Sequence, residues 1–135
     1  AMNNAAYYMS VRGVDLDAAE LYASLATASD PENVTYLDTQ AWVFFKKKDY
    51  KKAREVMDKV LRLSGIIEND SVPESDAPVD PQNEPSAEIY DHAGDIYFMT
   101  GDHKEAVEFW KEALKLSPDD EAIEKKVKHR TYFFE

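Results

Sequence analysis

The feature that most constrains this chain is a spacing of large and small residues that recurs along it. In residues 87–120, Tyr90, Ala93, Gly94 and Tyr97 precede a turn at Gly101 and Asp102, and Ala106, Trp110, Ala113 and Pro118 follow. Intervals of three and four place each set on one face of a helix. Small residues let two antiparallel helices approach closely, and the aromatics fill the space beside them. The same order starts again at residue 34: Leu37, Gln40, Ala41 and Phe44, a turn at Lys48 and Asp49, then Ala53, Met57 and Val60. Here Gly65 stands where the other copy has its helix-ending proline, and Gln40 replaces an apolar residue. A fainter copy runs through Met2, Ala5, Ala6 and Met9, a turn at Arg12 and Gly13, then Ala19, Ala23, Ala26 and Pro31. One such unit cannot bury its apolar face alone, so successive units must stack.

Local signals place the helix ends. Asp15 is suited to cap a helix starting at Leu16, and Asn33 one starting at Val34. The run Ser117, Pro118, Asp119, Asp120 offers an N-cap with proline at the first helical position. Seven helices follow, near 2–11, 15–28, 34–47, 50–64, 87–100, 103–116 and 119–133. Grouped, they form hairpins at about 2–28, 34–64 and 87–116 with a capping helix at about 119–133, in one domain spanning 1–135. Ile123, Val127 and Phe134 make one apolar stripe on that last helix, with Glu121, Glu124, Lys125, Lys128 and Arg130 on its other sides. A terminal helix with a single apolar face is what covers the end of a stack. No comparable polar helix precedes the first hairpin, which suggests the C-terminal piece of a longer repeat protein.

Charge is unevenly distributed. The formal net charge is −11, and residues 66–84 supply six acids with no lysine or arginine. Four of the six prolines fall within 65–85. Proline removes backbone donors and like charges repel, so this insertion is expected to be disordered and solvated. The overall acidity argues against a nucleic-acid partner, because phosphate binding needs a basic footprint. No apolar run is long enough for a membrane-spanning helix. Half of the sixteen lysines and arginines lie between residues 46 and 62. Lys46, Lys47 and Lys48 stand at a helix C-terminus, where cations favour the macrodipole, which is a sufficient structural reason for them; the alternative reading of the cluster is a second docking surface for an acidic partner such as the chain's own acidic loop. Without cysteine, disulfides and thiolate zinc sites are excluded.

No constellation for catalysis is legible. His92, His103 and His129 lack metal-ligand spacing, and no phosphate loop or nucleophile elbow occurs. Asp91 and Asp95 stand one turn apart, as paired catalytic carboxylates do, but two such acids on a solvated helix face read as surface charge. The expectation is a non-enzyme with no cofactor and no metal.

The spacing resembles the tetratricopeptide repeat over residues 2–64 and 86–118. That resemblance implies an all-α right-handed solenoid in which the first helix of each hairpin lines a concave, peptide-binding surface. The residues at matching places are Asn3 and Tyr7, then Asp38 and Trp42, then Asp91 and Asp95, with Phe45 and Phe98 one turn on. Chaperone-adaptor members clamp carboxylates of heat-shock protein tails with Lys, Asn and Arg at those places. Aspartates there repel such a tail and suit a basic or amphipathic protein or peptide, with Trp42 as either an anchor or an inter-hairpin packing residue. The run YLDTQAW at 36–42 resembles C-terminal repeats of bacterial members, many of them envelope-associated, which implies a cell envelope or periplasm and leaves the cytoplasm open. The alternative function is structural: a module with no ligand of its own that terminates a longer array, or one that self-associates through its uncapped N-terminal face.

Overall fold

The computed structural model describes residues 2–13, 15–67 and 85–131, with backbone alone at 2, 3, 8, 10 and 11. The Asn3 side chain, the bulk of the acidic insertion at 68–84 and Phe134 of the expected stripe lie outside these residues. Within them the chain is all-α: α1 (Met2–Arg12), α2 (Leu16–Ser29), α3 (Val34–Lys46), α4 (Tyr50–Leu63), α5 (Ala87–Met99), α6 (His103–Leu116) and α7 (Glu121–His129). The chain divides into two compact units, residues 1–84 and 85–135.

Side-chain caps start most of these helices by accepting from otherwise unpaired N–H groups of the first turn. Asp15 accepts from the Ala18 N–H at 3.3 Å, Asn33 from Tyr36 at 3.1 Å, Asp49 from Lys52 at 3.2 Å and Ser86 from Ile89 at 3.2 Å. The start of α7 differs from the sequence expectation. Asp120, not Ser117, is its cap, accepting from Ala122 at 3.0 Å and Ile123 at 3.2 Å. Pro118 and Asp119 form a turn instead of the first helical residues. The helix is shorter than 119–133 by two residues at its start. It ends at His129 because Arg130 enters the left-handed region at φ 54°.

The hairpin turns of the second and third copies are built alike. The Asp49 N–H donates to the Phe44 carbonyl and the Asp102 N–H to the Tyr97 carbonyl, both at 2.9 Å. Each turn passes through one left-handed residue, Lys48 at φ 66° and Gly101 at φ 96°.

In unit 1, α3 packs on α1, α2 and α4. Small residues make the close approaches: Ala6, Ala19 and Ala23 are fully buried around Val43, with Met9 and Tyr22 against them. Between α3 and α4 the core is Leu37, Ala41, Ala53, Met57 and Val60, all buried. In unit 2, α5 packs on α6 and α6 on α7. Trp110 is the largest fully buried side chain, and a Cβ added at Gly94 would overlap its indole ring. Gly94 therefore has a specific partner: it makes room for Trp110, while Ala106 is fully buried nearby in sequence on α6.

Candidate functional site

The seven residues expected to line a binding surface fall on first helices of hairpins, but not all reach the surface. On α1, Tyr7 is half-buried. On α3, Trp42 is half-buried, whereas Asp38 and Phe45 are buried. The Trp42 ring stacks on Phe45 with centroids 4.6 Å apart and an 8° interplanar angle, and Phe45 meets Tyr50 edge-on at 5.4 Å. Phe45, itself met edge-on by Tyr50, thus backs one face of the Trp42 ring.

At the end of α3, Lys47 reaches across to α2, donating to Asp17 at 2.8 Å and Glu20 at 3.0 Å. Its hydrogen bond to Asp17, then that to Glu20, raises the Lys47 pKa, and the same Lys47 bond lowers that of Asp17. Arg54 pairs with Asp58 one turn along α4 at 3.1 Å. The basic segment of the sequence therefore carries part of its own compensation. A shallow cleft of about 450 Å³, lined by Gly13, Asp15, Leu16, Asp17, Lys46, Lys47 and Lys48, lies at this junction of α2 and α3.

Unit 2 holds the more unusual chemistry. Asp91 and Asp95 do not form the solvated pair expected from their spacing. Asp91 is half-buried and Asp95 is only 1% exposed. The Trp110 indole N–H donates to one Asp95 oxygen at 3.0 Å. Lys126 from α7 donates to Asp91 at 2.8 Å and to the two Asp95 oxygens at 2.9 and 3.2 Å. Its ammonium also lies 5.9 Å from the Trp110 ring centroid, within cation–π range. The physical reason for the difference is that α5 is enclosed on every side here, residues 92–97 being all buried, with Trp110 of α6 and Lys126 of α7 closing on the Asp95 carboxylate.

Burial, then the nearby Asp91 charge, pushes Asp95 up to about 7, against the opposing pull of Lys126 and His92. Burial also works against the Lys126 charge, but the Asp95 and Asp91 carboxylates outweigh it and raise its pKa. Phe98, half-buried, lies beside the same indole at 5.9 Å and stacks on His103 at 4.3 Å. Two carboxylates, an indole face and a bounding phenyl ring make a seat for an ammonium or guanidinium group.

Lys126 was not singled out from sequence. The stripe expected on α7 was Ile123, Val127 and Phe134, yet the buried residues are Ile123 and Lys126, with Val127 half-buried. A usable signal was present: Lys126 is three residues beyond Ile123, hence on the same face, and two aspartates one turn apart await a cation.

The recurrent spacing has counterparts among known proteins. Residues 35–65 and 87–120 each match the tetratricopeptide repeat. The chain belongs to the tetratricopeptide-repeat family. Its fold is similar to that of the first TPR of Spaghetti (RPAP3) bound to HSP90 peptide SRMEEVD, with a TM-score of 0.71 at 15% identity over 96% of this chain and 86% of that one. It is also similar to the first TPR domain of the human RPAP3 protein, with a TM-score of 0.68 at 16% identity and the same coverage.

Proposed function

We infer that this chain is a protein-interaction module whose ligand is a basic or amphipathic protein segment. The observation that carries the reading is a tetratricopeptide fold, seen with a peptide bound in a structural neighbour, combined with half-exposed aromatic and acidic side chains on first helices. Tyr7 and Trp42 in unit 1 and Asp91 and Phe98 in unit 2 are the proposed contact residues. Asp38, Phe45 and Asp95 are buried: Phe45 stacks on Trp42, and Asp95 shares the Lys126 ammonium with Asp91. Aromatic side chains with a fixed ring plane offer large contact area at small entropic loss.

The acidic peptide SRMEEVD of the neighbour is not the ligand expected here. Asp38 and Asp91 occupy the matching places, and like charges brought together oppose binding. The test is a display library of random peptides panned against the intact chain. Enriched sequences should carry lysine or arginine beside apolar residues, and Trp42→Ala and Asp91→Lys should each lower binding of the winners at least tenfold with the helical circular-dichroism signal unchanged. Enrichment of acidic sequences, or equal binding by both variants, removes the assignment.

A second reading, self-association, draws on Leu21 and Leu25, which stand one turn apart on α2 and are 57% and 44% exposed. Light scattering on the double variant Leu21→Lys, Leu25→Lys separates the two readings: a dimer converted to a monomer favours association, and a monomer in both chains favours a ligand-binding module.

A further inference from the structure

The side chains of the acid–indole seat in unit 2 come from α5 and α6 alone. Asp91 and Asp95 are one turn apart on α5, Trp110 comes from α6, and the Trp110–Asp95 hydrogen bond joins the two helices of the hairpin directly. Gly94 sets the depth at which the indole lies. What α7 contributes is the occupant. Its ammonium enters between three carboxylate oxygens at 2.8 to 3.2 Å.

The helix that delivers this ammonium has a narrow grip. It is nine residues long, with Ile123 and Lys126 as its buried residues. Isolated helices shorter than about 12–15 residues are marginal in water, so α7 depends on its docking for its existence. Glu121, Ala122, Glu124, Lys125, Lys128 and His129 are all exposed. The contact surface is therefore Ile123 and, three residues on, Lys126, with Val127 half-buried beside them. An emptied seat would leave the buried Asp95 carboxylate without its cation, which disfavours simple undocking but not replacement by another cation.

We propose that α7 is an internal stand-in for the ligand: the seat formed by Asp91, Asp95 and Trp110 accepts a lysine or arginine from an amphipathic helix of a partner protein, and Lys126 fills it until that helix displaces α7. The matching partner carries a β-branched or similar apolar residue three positions before its basic residue, as Ile123 precedes Lys126. This rests on the reading of the chain as a module for basic segments, and it identifies which acids do the binding and what they release. Apparent affinity is then reduced by the fraction of chains in which the seat is open.

The probe is a fluorescein-labelled peptide with the sequence of residues 117–131, which carries its own copies of the isoleucine and the lysine. Fluorescence anisotropy against the full chain should show binding at least tenfold tighter for Lys126→Met than for the wild type. A peptide with methionine in place of its lysine should not bind either protein, and adding Asp91→Asn and Asp95→Asn to Lys126→Met should abolish binding. Should Lys126→Met unfold unit 2, the wild-type chain carries the test through amide hydrogen exchange. Excess unlabelled peptide should then speed exchange at 124–129 of the chain while α6 stays protected. Equal affinities for wild type and Lys126→Met, unchanged exchange in α7, or a dimer formed by trading α7 between two copies would each overturn the proposal. The library experiment with Trp42→Ala stands apart from this one, because the probe reports on the seat in unit 2 alone.

Discussion

Each unit holds one lysine between two acids of another helix, and the two arrangements differ in little except water. Lys47 bridges Asp17 and Glu20, and the Asp17 side chain is 93% exposed. Lys126 bridges Asp91 and Asp95, and it is 9% exposed with Asp95 deeper still. Distances are the same within a few tenths of an ångström. In water the charges are screened and the gain is offset by the entropy of holding long side chains. Inside, the same geometry becomes a commitment, because removing one partner strands a charge in a poorly solvating medium. Proximity of opposite charges says little by itself about stability; the surroundings decide.

The hairpins show a parallel contrast in volume. Matching positions hold Ala41 with Met57 in unit 1 and Gly94 with Trp110 in unit 2, all fully buried at the larger member. A large rigid indole on the second helix requires that the first helix give up its Cβ, whereas a flexible methionine fills what remains beside an alanine.

Gly94→Ala should destabilise unit 2 by about 4 kcal/mol, combining overpacking with the strained or lost Trp110–Asp95 bond. Ala41→Gly should lower stability by about 1 kcal/mol, chiefly through helix propensity. Chemical denaturation followed by circular dichroism measures both, and Gly94→Ala with Trp110→Met should show favourable coupling in a double-mutant cycle. Equal losses for the two single variants would mean that the indole repacks without penalty.

The ion clusters come next. Lys126→Met should cost about 3 kcal/mol by leaving Asp95 buried without its cation. Adding Asp95→Asn should restore part of it, since asparagine still accepts from the Trp110 N–H. Lys47→Met should leave the unfolding midpoint unchanged within error.

The two clusters should also tilt stability against pH in opposite directions. Asp95 is raised from 3.8 to about 7 on folding, so between those values the folded chain binds more protons than the unfolded one. Its contribution therefore falls as pH rises across that window. The Asp17 pKa is lowered, so its contribution is present above about 3.8 and fades as pH drops through the folded value. Asp95→Asn should accordingly gain stability relative to wild type on going from pH 4.5 to 7.5, as read from thermal midpoints. A constant difference would show that Asp95 titrates normally.

The smallest effects sit in the turns. Lys48 holds a left-handed conformation that Gly101 adopts without a Cβ. Lys48→Gly should stabilise by about 1 kcal/mol and Gly101→Lys should destabilise by a similar amount, about 1 kcal/mol. Nothing lies within 4 Å of a Cβ built at Gly101, so backbone strain alone is measured there.

Much of the fold was legible because its signals are local. The intervals linking Tyr90, Gly94, Ala106 and Trp110, and those linking Leu37, Ala41, Ala53 and Met57, lie within single hairpins, where turn geometry leaves few ways to pair the helices. Caps such as Asn33 and Asp15 were readable for the same reason, as each acts three residues from itself. The α7 cap differs from the expectation because a serine and an aspartate three residues apart, Ser117 and Asp120, both suit that role, and which one serves depends on where Ile123 docks. The surface residues were readable only as a helix face. Spacing placed Trp42 and Asp91 correctly on their helices without revealing that Asp38 and Asp95 on those helices are buried.

By itself, then, the chain's residue order determined an all-α repeat, its helix pairs, the tight fit at Gly94 and the turns that close each pair. The packing of α5, α6 and α7 is what makes Asp95 interior, sets Trp110 on it, and brings Lys126, 31 residues away, to it as charge partner. The reason is physical. Helix periodicity and steric volume act over a turn or two, whereas the solvation of a charge depends on everything that folds over it, including segments far along the chain.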